Sequence, residues 1–317
     1  MNGNTNELHV VFGTGPVGQW TMRALVDMGN RVRMVNRSGK ADVPAGIEVV
    51  KADAYDLASA KAAVQGATAV YQCAQPAYHE WAEKFPPLQS SILEAAASVG
   101  AKLIICDNLY MYGDPDGKPI TEDMPYRAHT RKGKVRQAMA EAAMAAHKAG
   151  KLRVAVGRAS DFFGPFEMVQ GEQLFIPALT GKPANLLGNP DLPHSFTYVK
   201  DFGRALAILG THDEALGQAW IVPTAPPVTQ NQLVKWVEAE GGKPVKARAA
   251  GKLLLSLVGL FSPAPKELVE MLYEFEKPFT VDSSRFERTF GMKPTPTADA
   301  IRETVGWFKT HLAQAHK

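Results

Sequence analysis

The first half of the chain alternates short, unbroken apolar runs with longer stretches whose apolar positions recur every three to four residues. That is the rhythm of a parallel sheet joined by crossover helices. His9-Val10-Val11-Phe12 predicts a first strand, and residues 17–28 a first helix. Residues 31–35, 48–50 and 69–73 predict strands two to four, residues 88–99 a helix, and residues 102–106 strand five. An Ala/Met-rich helix over 134–149 leads to strand six at 153–156. Gly29, Gly66, Gly100 and Gly150 each stand where a helix must stop before the next strand, the place of a left-handed terminating residue. Runs that are apolar throughout, without alternation, suit strands covered on both faces.

After Gly164-Pro165 this rhythm breaks, and prolines crowd in at 177, 183, 190, 193, 223, 226 and 227. A late strand at 219–222 is expected to rejoin the sheet. Helices are expected at 230–240, 251–260, 266–275 and 298–312. The fold class predicted is therefore α/β: a Rossmann-type doubly wound parallel sheet with a small, mostly helical C-terminal substrate lobe. The division falls at residues 1–165 for the nucleotide-binding core and 166–317 for the lobe, whose late elements return to the sheet.

Composition narrows the function classes. A length of 317 residues, 45% of them hydrophobic, fits a large globular α/β unit. A net charge of +3 gives no basic face of the kind nucleic acid requires. The two cysteines, Cys73 and Cys106, lie in strand-like runs and form no disulfide framework, which points to a reducing cytoplasm. The polar residues 1–7 do not form a signal peptide, and the apolar stretch 253–261 is about half of what a bilayer span needs. No metal-ligand spacing, nucleophile elbow or paired-acid motif stands out.

The strongest chemical signal is Gly13-Thr14-Gly15-Pro16-Val17-Gly18, directly after strand one and opening a helix. In that context the pattern binds a dinucleotide. Gly13 permits the tight turn, Gly15 lets the backbone approach the pyrophosphate, and Gly18 lets the helix pack on the strand. The free N–H groups of the helix start then face the phosphates. At the end of strand two, an acid would bind the ribose hydroxyls and repel a 2′-phosphate. The chain instead has Asn36-Arg37-Ser38, a donor fork and a hydroxyl suited to phosphate, so NADP(H) is favoured over NAD(H). Asp53 and Ala54, past strand three, are placed to border the adenine, and Ala74, past strand four, completes the set.

Four further runs join this motif: Tyr112-Gly113; Arg158-Ala159-Ser160-Asp161-Phe162-Phe163-Gly164-Pro165; His194-Ser195-Phe196-Thr197-Tyr198-Val199-Lys200-Asp201; and Thr295-Pro296 with Ile301-Arg302-Glu303-Thr304. On these residues the chain resembles the short-chain dehydrogenase/reductase superfamily over nearly its full length, in its extended, atypical, epimerase/dehydratase-like branch. The resemblance implies a Ser or Thr after strand five and a Tyr-x-x-x-Lys pair on the next helix. There the phenol exchanges a proton with substrate while hydride moves at the nicotinamide. The lysine binds the nicotinamide ribose and lowers the phenol's pKa. Lys134 matches that lysine, but Thr130 stands at the tyrosine position and Asn108 at the hydroxyl position. A threonine hydroxyl is far too weak an acid to replace a phenol at neutral pH.

Three compensations are open. Tyr110 can supply the phenol, paired with Lys134, while Asn108 orients a carbonyl. Tyr126 can approach from its loop. Or the chain does no redox chemistry and serves as a cofactor-sensing protein. Ala159 and Ser160-Asp161-Phe162 are expected beside the nicotinamide, and His194 and Tyr198 near substrate. The basic cluster His129, Arg131 and Lys132 is either solvated or in contact with an anion. The first reading is an NADP(H)-dependent oxidoreductase acting on the carbonyl or alcohol of a small, hydrophobic molecule. The second is a nucleotide-sugar epimerase or dehydratase with bound NAD, and the third a non-catalytic regulator. A homodimer through helices bordering strands four and five is implied by the resemblance.

Overall fold

A computed structural model describes residues 7–252, 255 and 267–315. Its centre is a seven-stranded, wholly parallel sheet. The chain enters at β1 (Leu8–Phe12), crosses through α1 (Pro16–Asp27), and builds outward through β2 (Arg31–Asn36) and β3 (Glu48–Lys51). It then returns by α2 (Leu57–Ala63) to the other side of β1. There it adds β4 (Ala69–Gln72), α3 (Trp81–Ser98), β5 (Lys102–Asp107), α4 (Arg131–Lys148) and β6 (Arg153–Arg158). The spatial order is β3-β2-β1-β4-β5-β6, so the direction of build reverses between β1 and β4. A crevice opens there at the carboxyl ends of the strands, where doubly wound sheets bind ligands.

Period-two side-chain alternation divides the core into two layers. Val10, Phe12, Val70, Leu103, Ile105, Val154 and Val156 face Trp81, Phe85, Leu88 and Ile92 of α3 and Met139 and Ala143 of α4. Val11, Met34, Tyr71, Ile104 and Ala155 face the opposite layer, with Met22 and Leu25 of α1.

The second half begins with β7 (Asp161–Phe163) and the short turns α5 (Met168–Gln170), Gly171–Phe175 and α6 (Ile176–Thr180). β8 (Ala184–Leu187), β9 (Phe196–Tyr198) and α7 (Val199–Thr211) follow. Phe202, Leu206 and Leu209 of α7 belong to the α1 layer of the sheet core. β10 (Ala219–Ile221) then pairs with β6 and closes the sheet, Trp220 lying opposite Gly157. After α8 (Gln230–Gly241), β11 (Ala247–Ala250) pairs with β8, and β7 pairs with β9. α9 (Ser284–Phe290) and α10 (Thr297–Ala315) complete the chain's described part. The lobe has its own core, in which Phe175 and Phe308 stack at 5.4 Å beside Leu233, Val237 and Ile301.

Several expected bounds move. The helix expected at 88–99 begins at Trp81 and runs through Pro86 and Pro87. Burial of Trp81 and Phe85 on the sheet outweighs the lost backbone bonds. The helix expected at 134–149 begins at Arg131, where the Thr130 hydroxyl accepts from Gly133 N. The apolar stretch 253–261 lies outside the described residues apart from Leu255. Of the helix expected at 266–275, the last part is a tight 3₁₀ turn, Leu272–Phe275. Among the described residues, no helix is long and apolar enough to cross a membrane.

Candidate functional site

The glycine loop is built as a cradle. Gly13 has φ +104°, and a Cβ there would sit 2.7 Å from Ala74 N, so strand four's end and the loop pack backbone to backbone. A Cβ on Gly18 would lie 2.0 Å from Gly13 O. Gly15, at the N-cap of α1, has ordinary dihedrals (φ −73°, ψ −174°) and brings no side-chain cap to the helix start. A Cβ there would meet nothing within 4 Å. This open, uncapped helix start beside three glycines fits a pyrophosphate group.

Asn36 organises the loop after β2. Its amide donates to Thr14 Oγ1 (3.0 Å) and Lys40 O (2.8 Å), and its carbonyl accepts from Gly39 N (2.7 Å) and Ser38 Oγ (3.1 Å). Arg37 and Ser38 are exposed beyond it. Asp53 is also exposed and caps its own turn by accepting from Tyr55 N at 3.0 Å, while Ala54 is buried.

From the ends of β4, β5 and β6 a cleft of about 520 Å³ runs into the lobe. Asn108, Tyr110, Ala159, Ser160, Asp161 and Phe162 line it. Asn108 holds its own turn by accepting from Tyr110 N at 3.2 Å. The Tyr110 phenol meets the Tyr78 phenol at 3.2 Å. Burial, and then the neighbouring Tyr78, push it well above the ordinary tyrosine range. Ser160 Oγ is buried without a hydrogen-bond partner among the described residues.

Lys134 does not reach this cleft. It is exposed and lines a separate groove between α3 and α4 with Pro86, Leu93 and Val135. Thr130 is spent on capping α4 and on Met271 Sδ, 3.5 Å away. From this helix Arg136 lines the cleft instead, with Lys132 four residues before it and so on the same stripe. Lys132 is 2% exposed, with its ammonium 4.4 Å from the Tyr78 ring centre and paired to Glu267 and Glu270. Of the basic cluster, then, Lys132 is not solvated but buried and neutralised from the lobe, and Arg131 also meets Glu267 at 3.1 Å. Arg136 pairs with Asp107, which also receives Arg158 Nε at 3.3 Å. Arg158 in turn donates to the phenols of Tyr112 and Tyr126. Tyr126 is therefore part of the support under β5 and β6. Tyr198 lies in the lobe core against Phe163.

The opposite wall is acidic. Asp161 Oδ2 lies 2.7 Å from His194 Nε2, and His194 Nδ1 lies 3.2 Å from the main-chain oxygen of Glu274. The imidazole stacks on Phe275 at 4.6 Å. Burial, reinforced by Asp161, pushes the Glu274 carboxyl well up. Burial also raises Glu167 to about 7, against two backbone N–H donors at Val169 (3.0 Å) and Gln170 (2.8 Å). Sequence reading missed Asp107, Arg136, Glu167 and Glu274, and named Lys132 only within the basic cluster. Only the four-residue spacing of Lys132 and Arg136 was a usable signal.

The sequence profile of the NAD dependent epimerase/dehydratase family matches residues 10–222. Among solved structures, UDP-glucose 4-epimerase of Thermus thermophilus in complex with NAD superposes with a TM-score of 0.77. It is 18% identical, over 95% of this chain and 99% of that one. An epimerase from Methanothermobacter thermautotrophicus gives 0.81 at 17% identity, covering 98% of this chain and 94% of its own. The dTDP-glucose 4,6-dehydratase of Bacillus anthracis str. Ames, with NAD, gives 0.78 at 16% identity over 97% and 98%. The search of curated proteins returns no match.

Proposed function

This chain belongs to the NAD dependent epimerase/dehydratase family, enzymes of the extended short-chain dehydrogenase/reductase type; from that membership, and from Asn36-Arg37-Ser38 standing where an acid would select NAD(H), we propose that it uses NADP(H) to act on the carbonyl or alcohol of a small, hydroxylated, sugar-like molecule. When bound, the nicotinamide supplies the hydride acceptor and donor. The glycine cradle holds the pyrophosphate through Gly13, Gly15 and Gly18 and the start of α1. Asn36, Thr14 and Ser38 order the loop that presents Arg37 to the adenosine ribose, with Asp53 and Ala54 bordering the adenine. Ala74, Ala159 and Ser160 border the nicotinamide end. Asn108 and Tyr110 face the substrate oxygen.

The observation that carries the substrate class is the lining of the cleft. Tyr110, Ser160, Asp161, Glu167 and Gln173 offer hydrogen-bonding groups between the apolar faces of Trp81, Phe275 and Phe279. Such a mixture of few convergent polar groups and aromatic walls suits a polyhydroxylated ring. A nucleotide-sugar substrate is the second reading, favoured by the UDP-glucose and dTDP-glucose enzymes among the structural neighbours. The cations beside the described part of the cleft, Lys132 and Arg136, are already paired with carboxylates, which leaves a diphosphate poorly matched.

The test begins with calorimetric titration of NADPH and, separately, NADH. NADPH should bind more tightly, and Arg37→Ala should weaken NADPH by about tenfold, the worth of one charge-assisted phosphate contact, with little effect on NADH. Equal losses for both cofactors would remove Arg37 as the phosphate ligand. Incubation with free sugars, UDP-glucose and dTDP-glucose, followed by product analysis, then separates the two substrate readings.

A further inference from the structure

The Asp161–His194 contact contains a proton that ordinary ionisation states leave unaccounted for. His194 is 2% exposed and its two ring nitrogens face two acceptors. Nδ1 faces the main-chain oxygen of Glu274 (3.2 Å), which can only accept, so this contact is a hydrogen bond only with hydrogen on Nδ1. Nε2 faces Asp161 Oδ2 (2.7 Å). A neutral imidazole protonated at Nδ1 would set its Nε2 lone pair against a carboxylate lone pair. A neutral ring can thus satisfy one of the two contacts and not the other; both are hydrogen bonds at once only with one more proton, on Nε2 as an imidazolium or on Asp161 as a carboxylic acid.

The surroundings favour keeping it. Glu274, Glu167, Tyr78 and Tyr110 line the same cleft as Asp161. No lysine or arginine hydrogen-bonds to Asp161 among the described residues, and Phe196, Phe275 and Phe279 enclose the imidazole. Asp161 differs from His194 in access: its side chain is 30% exposed and lines the cleft.

We infer that Asp161 is a further catalytic residue, delivering to the substrate oxygen a proton stored between its carboxyl and the positioning residue His194. This rests on the proposed reading of the cleft as the substrate site. In the step, the shared proton leaves the Asp161 carboxyl for the oxygen on which negative charge develops, forming the O–H bond of the alcohol. The pair is left as a carboxylate beside a neutral imidazole protonated at Nδ1, and recovers its proton from water. A phenol is then not needed as the acid, in keeping with Thr130 at the tyrosine position and with Tyr110, whose hydroxyl meets only that of Tyr78 among the described residues. A general acid so placed is worth about 10²- to 10⁴-fold in rate.

The experiment is NMR of the histidine ring nitrogens and aspartate carboxyl carbons in the whole protein at pH 7.5, with His194 assigned through His194→Gln. Both His194 nitrogens protonated, or a neutral ring beside a protonated Asp161 carboxyl, is the expected result. In Asp161→Asn the ring should become neutral with hydrogen at Nδ1, because an amide can donate to Nε2. A neutral His194 beside an ionised Asp161 in the unaltered protein would overturn the inference, and so would an imidazolium that persists in Asp161→Asn. NADPH titration of both proteins separates this from the cofactor reading. Binding should agree within about threefold, because the pair at residues 161 and 194 is net neutral before and after the exchange and no phosphate contact is removed. Failure of the unaltered protein to bind either NADPH or NADH would sink the function proposal and leave the proton result standing.

Discussion

At the scale of single residues, the three glycines of the cradle carry different burdens. Gly18 is packed so closely on Gly13 O that any side chain must displace the loop. Gly15 has ordinary dihedrals and open space before it, so the fold does not require it to lack a Cβ, and the proposed pyrophosphate contact would. Gly18→Ala is therefore expected to lower both thermal stability and NADPH affinity. Gly15→Ala should cost less than about 1 kcal/mol of stability, an N-cap effect, yet weaken NADPH at least tenfold by holding phosphate away from the backbone. Thermal melts beside NADPH titrations check the contrast. A Gly15→Ala protein that binds NADPH normally would mean the phosphates lie elsewhere.

At the scale of elements, one carboxylate joins three of them. Asp107 at the end of β5 takes Arg136 from α4 and Arg158 from β6, all three almost wholly buried. Asp107→Ala leaves two buried guanidinium groups without their counter-charge, and is expected to destabilise the protein by about 3–5 kcal/mol. Chemical denaturation measures it, and a loss below about 1 kcal/mol would show that the arginines swing out to water. The same junction shows what the sequence could and could not convey. β1, β2, β5 and β6 were legible because each is a short apolar run closed by a turn signal. α2 was not, since Leu57–Ala63 is a seven-residue, Ala-rich helix with too few apolar positions to show a period. β7, β8 and β9 pair only locally, in two-stranded ladders, and their patterns are no longer than those of loops. In the site, the glycine cradle was readable because backbone geometry dictates residue type. The phase of α4 was not: Thr130 and Lys134 fit the expected spacing, yet the helix starts at Arg131 and turns Arg136 to the cleft, with Lys132 buried beside it against Glu267 and Glu270. Helix phase follows from where the first turn docks, here on Glu267 and Glu270 from more than a hundred residues away.

At the scale of the whole molecule, the sheet buries a titratable group at its middle. His9 lies on β1, fully buried between β2 and β4, with Nδ1 2.8 Å from the Tyr71 hydroxyl. Burial, and then the charge of Lys102, lower its pKa from 6.5 to about 4. The unfolded chain therefore takes up a proton that the folded chain refuses. Stability is full above pH 6.5 and declines as the pH falls towards 4, by about 3 kcal/mol at the end of the window. Glu167, raised to about 7, acts in the opposite sense, so the measurement is a difference. Denaturation at pH 7 and pH 4.5 should show a smaller acid loss in His9→Gln than in the unaltered protein, and equal losses would exclude His9 as a source of acid sensitivity.

The closing of the sheet by β10 has a further consequence, in time. β6 ends at Arg158 and its neighbour begins only at Ala219, so a ribosome must add about sixty more residues before that edge is paired, roughly 3–12 s at ordinary elongation rates. Throughout that interval a newly made chain displays an apolar strand edge next to an otherwise complete sheet. Such an edge is a template for another chain's strand. Crowded polysomes would therefore favour neighbour-to-neighbour pairing at β6, and a holding chaperone would be of most use between the emergence of Arg158 and that of Ile221.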